Sequence, residues 1–278
     1  MSELLNVARQ AARDAAAVHR EFLGSVAVAE WSEKGTADFV THVDRKAELV
    51  IVERLRAHFP KHRVLAEEDA TERADSAGVS MGAGADEWTW IIDPLDGTTN
   101  YLHGYPVYAV SIAVARAGEL EAGFVLNSAT GEEWSAVRNG GAFLDGSRIG
   151  VSSIDVLSRA LIGTGFPFKA LHLLPVYTQQ LAAVLRATSG VRRAGSAALD
   201  LCHVATGLFD GFWELDLAPW DVAAGALIVR EAGGVVTRLD GSSDILGYGS
   251  LLAGNPVIHA GVGKLVREAT SSVNPIDV

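Results

Sequence analysis

Carboxylates stand at the ends of local sequence elements in four separate places along the chain. "TADFVTHVD" supplies Asp38 and Asp44, "VLAEED" supplies Glu67 and Glu68, "IIDPLDGT" supplies Asp93 and Asp96, and "PWDVAAG" supplies Asp221. Oxygen donors in this number suit Mg²⁺ or another hard divalent cation. Softer ligand sets are missing: there is one cysteine, and His103, His172 and His203 show no H-x-x-x-H pairing and read as structural. The chemistry that calls for such a cluster is hydrolysis of a phosphate monoester, which needs up to about 10²¹-fold acceleration. Two or more Mg²⁺ ions would polarise the phosphoryl oxygens and generate hydroxide at neutral pH.

Each group also has a plainer reading. Thr41-His42-Val43-Asp44 has the form of a capping box. Asp221 fits a helix N-cap, and Glu67-Glu68 a solvated turn. Glu214 could simply face water at a strand end. Gly195-Ser196, after Arg192-Arg193, fits either an N-cap or a helix N-terminus that receives an anion. Ser196 has no His-Asp partner in a recognisable pattern and is a poor nucleophile.

The elements around these groups decide how they are held. Trp88-Thr89-Trp90-Ile91-Ile92 is short, aromatic and β-branched, and reads as a buried strand. Asp93 then sits where the strand meets solvent, Pro94 ends the ladder for want of an N–H, and Asp96-Gly97 turns the chain. Apolar residues every three or four positions predict a helix over 3–23, and a second runs from Val43 to Phe59, stopping before Pro60. Between them "EWSEKGTADFVTHVD" reads as a polar loop. From Val64, short apolar runs separated by turn residues predict a meander of antiparallel strands, with 72–85 as a flexible insertion. After about residue 150 strand and helix alternate. Strands are expected at "ALIGTGF", "GFWELD", "GVVTRL" and "SLLAGN". Helices are expected at "LLPVYTQQLAAVLRAT", "SAALDLCHVATGLFDG", "DVAAGALIVREAGG" (with Gly233 as its stop) and "VIHAGVGKLVREA". The fold class is therefore α+β followed by α/β. Residues 1–150 are expected to carry most of the acids, and 151–278 to supply Asp221 and the substrate side.

Composition narrows the partners. A net charge of −11, from 34 acids against 23 bases, argues against nucleic acid as a ligand. The lone Cys202 leaves no disulfide framework and no multi-thiolate site. The N-terminal segment is charged throughout, and no stretch approaches the roughly 18–20 apolar residues that span a bilayer, so a cytoplasmic protein without membrane contact is expected.

"AEED", "WIIDPLDGTTNYLHGYPVYAVSIAV", "GSAALDLCHVATG" and "WELDLAPWDVAAGALIVREAGG" closely resemble the inositol monophosphatase family, and the likeness covers nearly the whole chain. The resemblance implies a Mg²⁺-dependent, lithium-sensitive phosphomonoesterase with a layered α-β-α-β-α architecture, usually a homodimer. It implies that Glu67, Asp93 and the Leu95 carbonyl hold one metal, and that Asp93, Asp96 and Asp221 hold a second. Glu67 would reach a third through water and so counts as catalytic beside Thr98 and Asp44, which would orient and deprotonate the attacking water. Gly97 and Thr98 N–H groups would hold the phosphate, with Asp96 beside them. Gly195, Ser196, Ala197, Glu214 and Asp221 would line the alcohol side. Lys34 matches the family's loop lysine, at a spacing to Asp38 one residue shorter than in the animal enzymes, and "ELDLAPWD" departs from the animal pattern. "GTTN" resembles the branch acting on inositol phosphates. Fructose bisphosphatase and histidinol-phosphate phosphatase are the alternatives, the former needing cations such as Arg192 and Arg193 for a second phosphate. A non-enzymatic reading is binding to the transcription machinery.

Overall fold

A computed structural model of the chain describes residues 3–26, 32–35, 38–72 and 87–271. Helix α1 (Glu3–Phe22) is followed by two short paired strands, β1 (Ser32–Gly35) and β2 (Asp38–Val40), and by α2 (His42–His58). Strand β3 (Arg63–Ala66) leads into α3 (Glu67–Glu72), and β4 (Trp88–Asp96) into the short α4 (Thr98–Leu102). Then come β5 (Ala109–Arg116), β6 (Glu119–Asn127), β7 (Glu133–Val137), β8 (Gly141–Leu144) and β9 (Ser147–Arg148). The remainder is β10 (Leu161–Thr164), α5 (Leu174–Ala187), β11 (Gly190–Arg192) and α6 (Ala197–Ala205). It closes with β12 (Gly211–Leu217), α7 (Pro219–Glu231), β13 (Val235–Thr237), β14 (Gly249–Gly254) and α8 (Pro256–Ser271).

Strands β3 to β9 form a seven-stranded sheet in sequence order; the other sheet has the order β11-β10-β12-β14-β13. Strand parity sorts the layers, because successive side chains leave a strand on opposite faces. Trp90 and Ile92 of β4, with Val110, Ile112 and Val114 of β5, pack against α1 and α2. Ile91 and Ala113, on the other face, join a core built by α6 and α7. Those two helices also cover Phe212, Leu251 and Ala253 of the second sheet, whose far face packs Trp213 and Leu252 against α5 and α8. The result is a layered α-β-α-β-α arrangement. Asp93 shares the parity of Ile91, so its side chain leaves the sheet toward the middle layer.

Two readings need correction. Strand β3 pairs in parallel with β4, so this edge is no antiparallel meander: their connection is a crossover that begins with α3. The expected polar loop between α1 and α2 contains the β1–β2 pair, whose polar residues hide it from a hydrophobic pattern. The expected flexible insertion falls almost wholly on 73–86, outside the described residues, as do the side chains of Lys34 and Asp38. No helix among the described residues is long and apolar enough to cross a membrane.

Candidate active site

The end of β4 is shaped by its own sequence. Asp93 still pairs with Ser111 and Asp96 with Ala109, so Pro94-Leu95 bulge out of the ladder where proline has no proton to donate. Asp93 Oδ1 accepts the Leu95 N–H at 3.0 Å, which fixes a carboxylate that is 2% exposed. Gly97 follows at φ 92°, a conformation costly for any other residue; a Cβ there would also stand 2.8 Å from the Val107 carbonyl. The turn delivers Thr98, whose Oγ1 lies 3.1 Å from Asp44 Oδ1 and 3.0 Å from the Leu95 carbonyl. One hydroxyl proton serves only one of these acceptors at a time.

The capping readings turn out to be compatible with a role in the site. Thr41 is the N-cap of α2, and Asp44 Oδ2 accepts from its N–H at 2.8 Å and its Oγ1 at 2.7 Å, leaving Oδ1 for Thr98. Asp221 is not the N-cap of α7: Ala218 holds that position, and Asp221 reaches back from the third residue to the Ala218 N–H at 2.7 Å. Pro219 sits at the helix start where no N–H is needed, and so moves the helix boundary two residues ahead of the aspartate. Glu67 opens α3, and the buried Glu68 gives its N–H to Glu48. The N-terminus of α6 does receive an anion, and that anion is Asp96: its Oδ2 accepts from Ser196 Oγ at 2.6 Å and from the Ala198 N–H at 2.8 Å.

These segments converge on one cavity of about 260 Å³. Of the twelve site residues named from the sequence, all but Asp44 line it; Asp44 stands behind Thr98. Of the two arginines, Arg193 lines the cavity, while Arg192 turns to the Val191 carbonyl. Three contributors, Asn100, Lys169 and Asp200, were not legible in advance. Asn100 Nδ2 ties the turn to the Val107 and Ala194 carbonyls at 2.7 and 3.0 Å. Arg193 rests on the rings of Phe166 and Phe168, and Lys169 and Asp200 complete the lining. The aromatic run "FPFK" directly after the β10 strand was the signal available for that loop.

Charge is the defining property of the cavity. Burial, then the charges of Glu67, Asp96 and Asp221, hold the Asp93 carboxyl well above the usual carboxylate range. Burial raises Asp96 to about 6 against the hydrogen bonds from Ser196 and Ala198. It raises Asp221 to about 7 against the opposing charge of Lys169, and Glu214 to about 8 with help from Asp221. Among the described residues, no three Asp, Glu, His or Cys side chains converge tightly enough to grip an ion as they stand. They ring the cavity instead, in mutual repulsion, and every charged donor is a hard oxygen. Such a set fits Mg²⁺, and Glu67, Asp93, Asp96, Asp221 and the Leu95 carbonyl are the groups that could hold it.

The crowding has a measurable consequence. A carboxyl whose folded-state pKa is raised stabilises the fold at low pH and loses that contribution as pH climbs toward the raised value. Asp96, Asp221 and Glu214 place the loss between the ordinary carboxylate range and about 6, 7 and 8 respectively. Each pKa unit corresponds to about 1.4 kcal/mol, so even a fraction of these shifts lowers stability by a few kcal/mol. The metal-free protein should melt several degrees lower at about pH 8 than at about pH 5, and Mg²⁺ should recover the difference. A calorimetric midpoint that rises over this range without metal would contradict the crowding.

The chain matches the inositol monophosphatase family over residues 1–271. It is 44% identical over 273 residues to the inositol-1-monophosphatase of Mesorhizobium japonicum, covering 98% of each chain. It is likewise 44% identical over 257 residues to the Nus factor SuhB of Pseudomonas aeruginosa, covering 92% of each. The crystal structure of the extragenic suppressor protein suhB from Bartonella henselae superposes with a TM-score of 0.87 at 40% identity, over 96% of this chain and 99% of that one. Fold, sequence and the acid-lined cavity agree: the chain belongs to the inositol monophosphatase family, within the phosphatase superfamily, whose members are generally Mg²⁺-dependent.

Proposed function

We propose that this protein hydrolyses inositol 1-phosphate to inositol and phosphate. The observation that carries the reading is one cavity in which the Asp93–Thr98 corner, the α6 N-terminus, Glu214 and Asp221 meet. Glu67, Asp93, Asp96, Asp221 and the Leu95 carbonyl would hold the two or three Mg²⁺ ions. Bound there, the ions would neutralise the phosphate and activate water at neutral pH. The chain's own groups do the rest. Thr98 Oγ1 takes a proton from the attacking water through its lone pair as it passes its own hydroxyl proton to Asp44 Oδ1. Asp44 is suited to take that proton, because burial raises its pKa. The Gly97 and Thr98 N–H groups orient the phosphate beside Asp96. Gly195, Ser196, Ala197 and Glu214 border the alcohol. By likeness to the family the active form is a lithium-sensitive cytoplasmic homodimer, with residues 1–150 and 151–278 as its two units.

The test is a kinetic comparison of inositol 1-phosphate, fructose 1,6-bisphosphate, histidinol phosphate and an adenosine bisphosphate with Mg²⁺. Inositol 1-phosphate should show the highest kcat/KM, and activity should vanish in excess EDTA. Full turnover in EDTA would sink the metal reading; a clear preference for another ester would replace the substrate. A second, non-catalytic reading is favoured by the 44% identity to a Nus factor: binding to the transcription machinery.

A further inference from the structure

Strands β10 and β12 run in parallel with Thr164 opposite Trp213. The next residues, Gly165 and Glu214, are therefore neighbours where the β10–β12 pairing stops, and both line the cavity. An ideal Cβ placed on Gly165 would overlap Oε1, Cδ and Oε2 of Glu214, a deeper conflict than at any other described glycine. The Glu214 carboxyl thus lies in the space that a side chain at 165 would fill. The backbone does not demand glycine here, since Gly165 is absent from the positive-φ residues. What demands it is the carboxyl.

We infer that Gly165 is a specificity-determining position for the alcohol half of the substrate. By having no side chain it seats the Glu214 carboxyl against the strand end, where that carboxyl takes the hydroxyl groups of a polyol. The inference rests on the proposed inositol phosphatase reading. A methyl group at 165 would push the carboxyl off its seat into the cavity, where Asp221 and Asp96 repel it and Arg193 and Lys169 attract it. The corner from Asp93 to Thr98 belongs to the other sheet and would stay in place. The loss should therefore fall on alcohol recognition, with metal binding and phosphate chemistry spared.

Gly165→Ala in the full chain with Mg²⁺ tests this against two esters: inositol 1-phosphate, and p-nitrophenyl phosphate, which offers no hydroxyl groups. KM for inositol 1-phosphate should rise about tenfold or more with kcat within about threefold, the pattern of lost ground-state contacts. The aryl ester's kcat/KM and the calorimetric Mg²⁺ affinity should stay within about twofold. Glu214→Asp, one methylene shorter, withdraws the carboxyl from the added methyl group. The double variant should then match Glu214→Asp alone, since the two positions act through one contact. This arm also remains readable if Gly165→Ala by itself folds poorly. A wild-type preference for inositol 1-phosphate that survives in Gly165→Ala, or an equal loss on both esters, overturns the role of Gly165. A wild type with no such preference overturns the substrate reading itself.

Discussion

Replacing Asp93 by Asn should abolish turnover while leaving the fold intact. Asn keeps an oxygen in the place of Asp93 Oδ1, so the 3.0 Å hydrogen bond from the Leu95 N–H survives and the bulged corner holds its shape. What disappears is a negative charge assigned to two cations. Losing even several kcal/mol of that charge stabilisation lowers kcat by about 10³-fold or more. Stability should move the other way. In the metal-free wild type Asp93 is buried among Glu67, Asp96 and Asp221, whose charges oppose its ionisation. The metal-free variant should therefore melt at or above the wild-type midpoint, and Mg²⁺ should raise that midpoint less. Near-normal turnover at the same Mg²⁺ concentration would refute the assignment. The same inactive, folded protein separates the two functional readings, since binding to transcription proteins would survive in it.

Thr98→Ala should lower kcat by about 10²–10⁴-fold, the usual worth of general-base assistance, and leave KM and Mg²⁺ affinity nearly unchanged. Thr98 reaches the reaction through its hydroxyl, 3.1 Å from Asp44 Oδ1, and not as an assigned metal ligand. Asp44→Asn should lose a similar factor. If its oxygen stays on Thr41 to cap α2, its amide NH₂ faces Thr98 and donates where an acceptor is needed. The double variant should be barely worse than either single one. A residue that served only as a cap would instead cost roughly 0.5–2 kcal/mol of stability with kcat per folded molecule unaltered. Measuring kcat and the unfolding midpoint on the same proteins distinguishes these outcomes.

The site was legible in the sequence wherever its geometry is local. Asp93, Leu95, Asp96, Gly97 and Thr98 are spaced within one bulge and one turn, and proline, glycine and the strand end dictate that shape. The α6 and α7 starts were legible for the same reason, although Pro219 displaced the cap from Asp221. Contacts between distant segments were not. Gly165 and Glu214 become neighbours only through the pairing of β10 with β12, and nothing in either local sequence announces it. Arg193 reaches the cavity and Arg192 does not, because adjacent residues of a strand end face opposite ways. The parallel pairing of β3 escaped notice because a short apolar run carries no sign of its partner's direction. Strand β11, three residues of mixed polarity, has too little pattern to see.

The bond between Asp96 and the α6 N-terminus spans 100 residues of sequence, and this sets a timetable for the newly made chain. Translation at about 5–20 residues per second brings Ser196 out some 5–20 s after Asp96. Until then Asp93 and Asp96 are tethered on a corner whose capping hydroxyl has not been synthesised, and Asp221 follows later still. A ribosome-bound fragment that ends before α6 carries the signature motif yet lacks both the clamp on Asp96 and the last acid. On the proposed metal reading, competence for cation capture would therefore arrive late, once both the α6 clamp and Asp221 have been made.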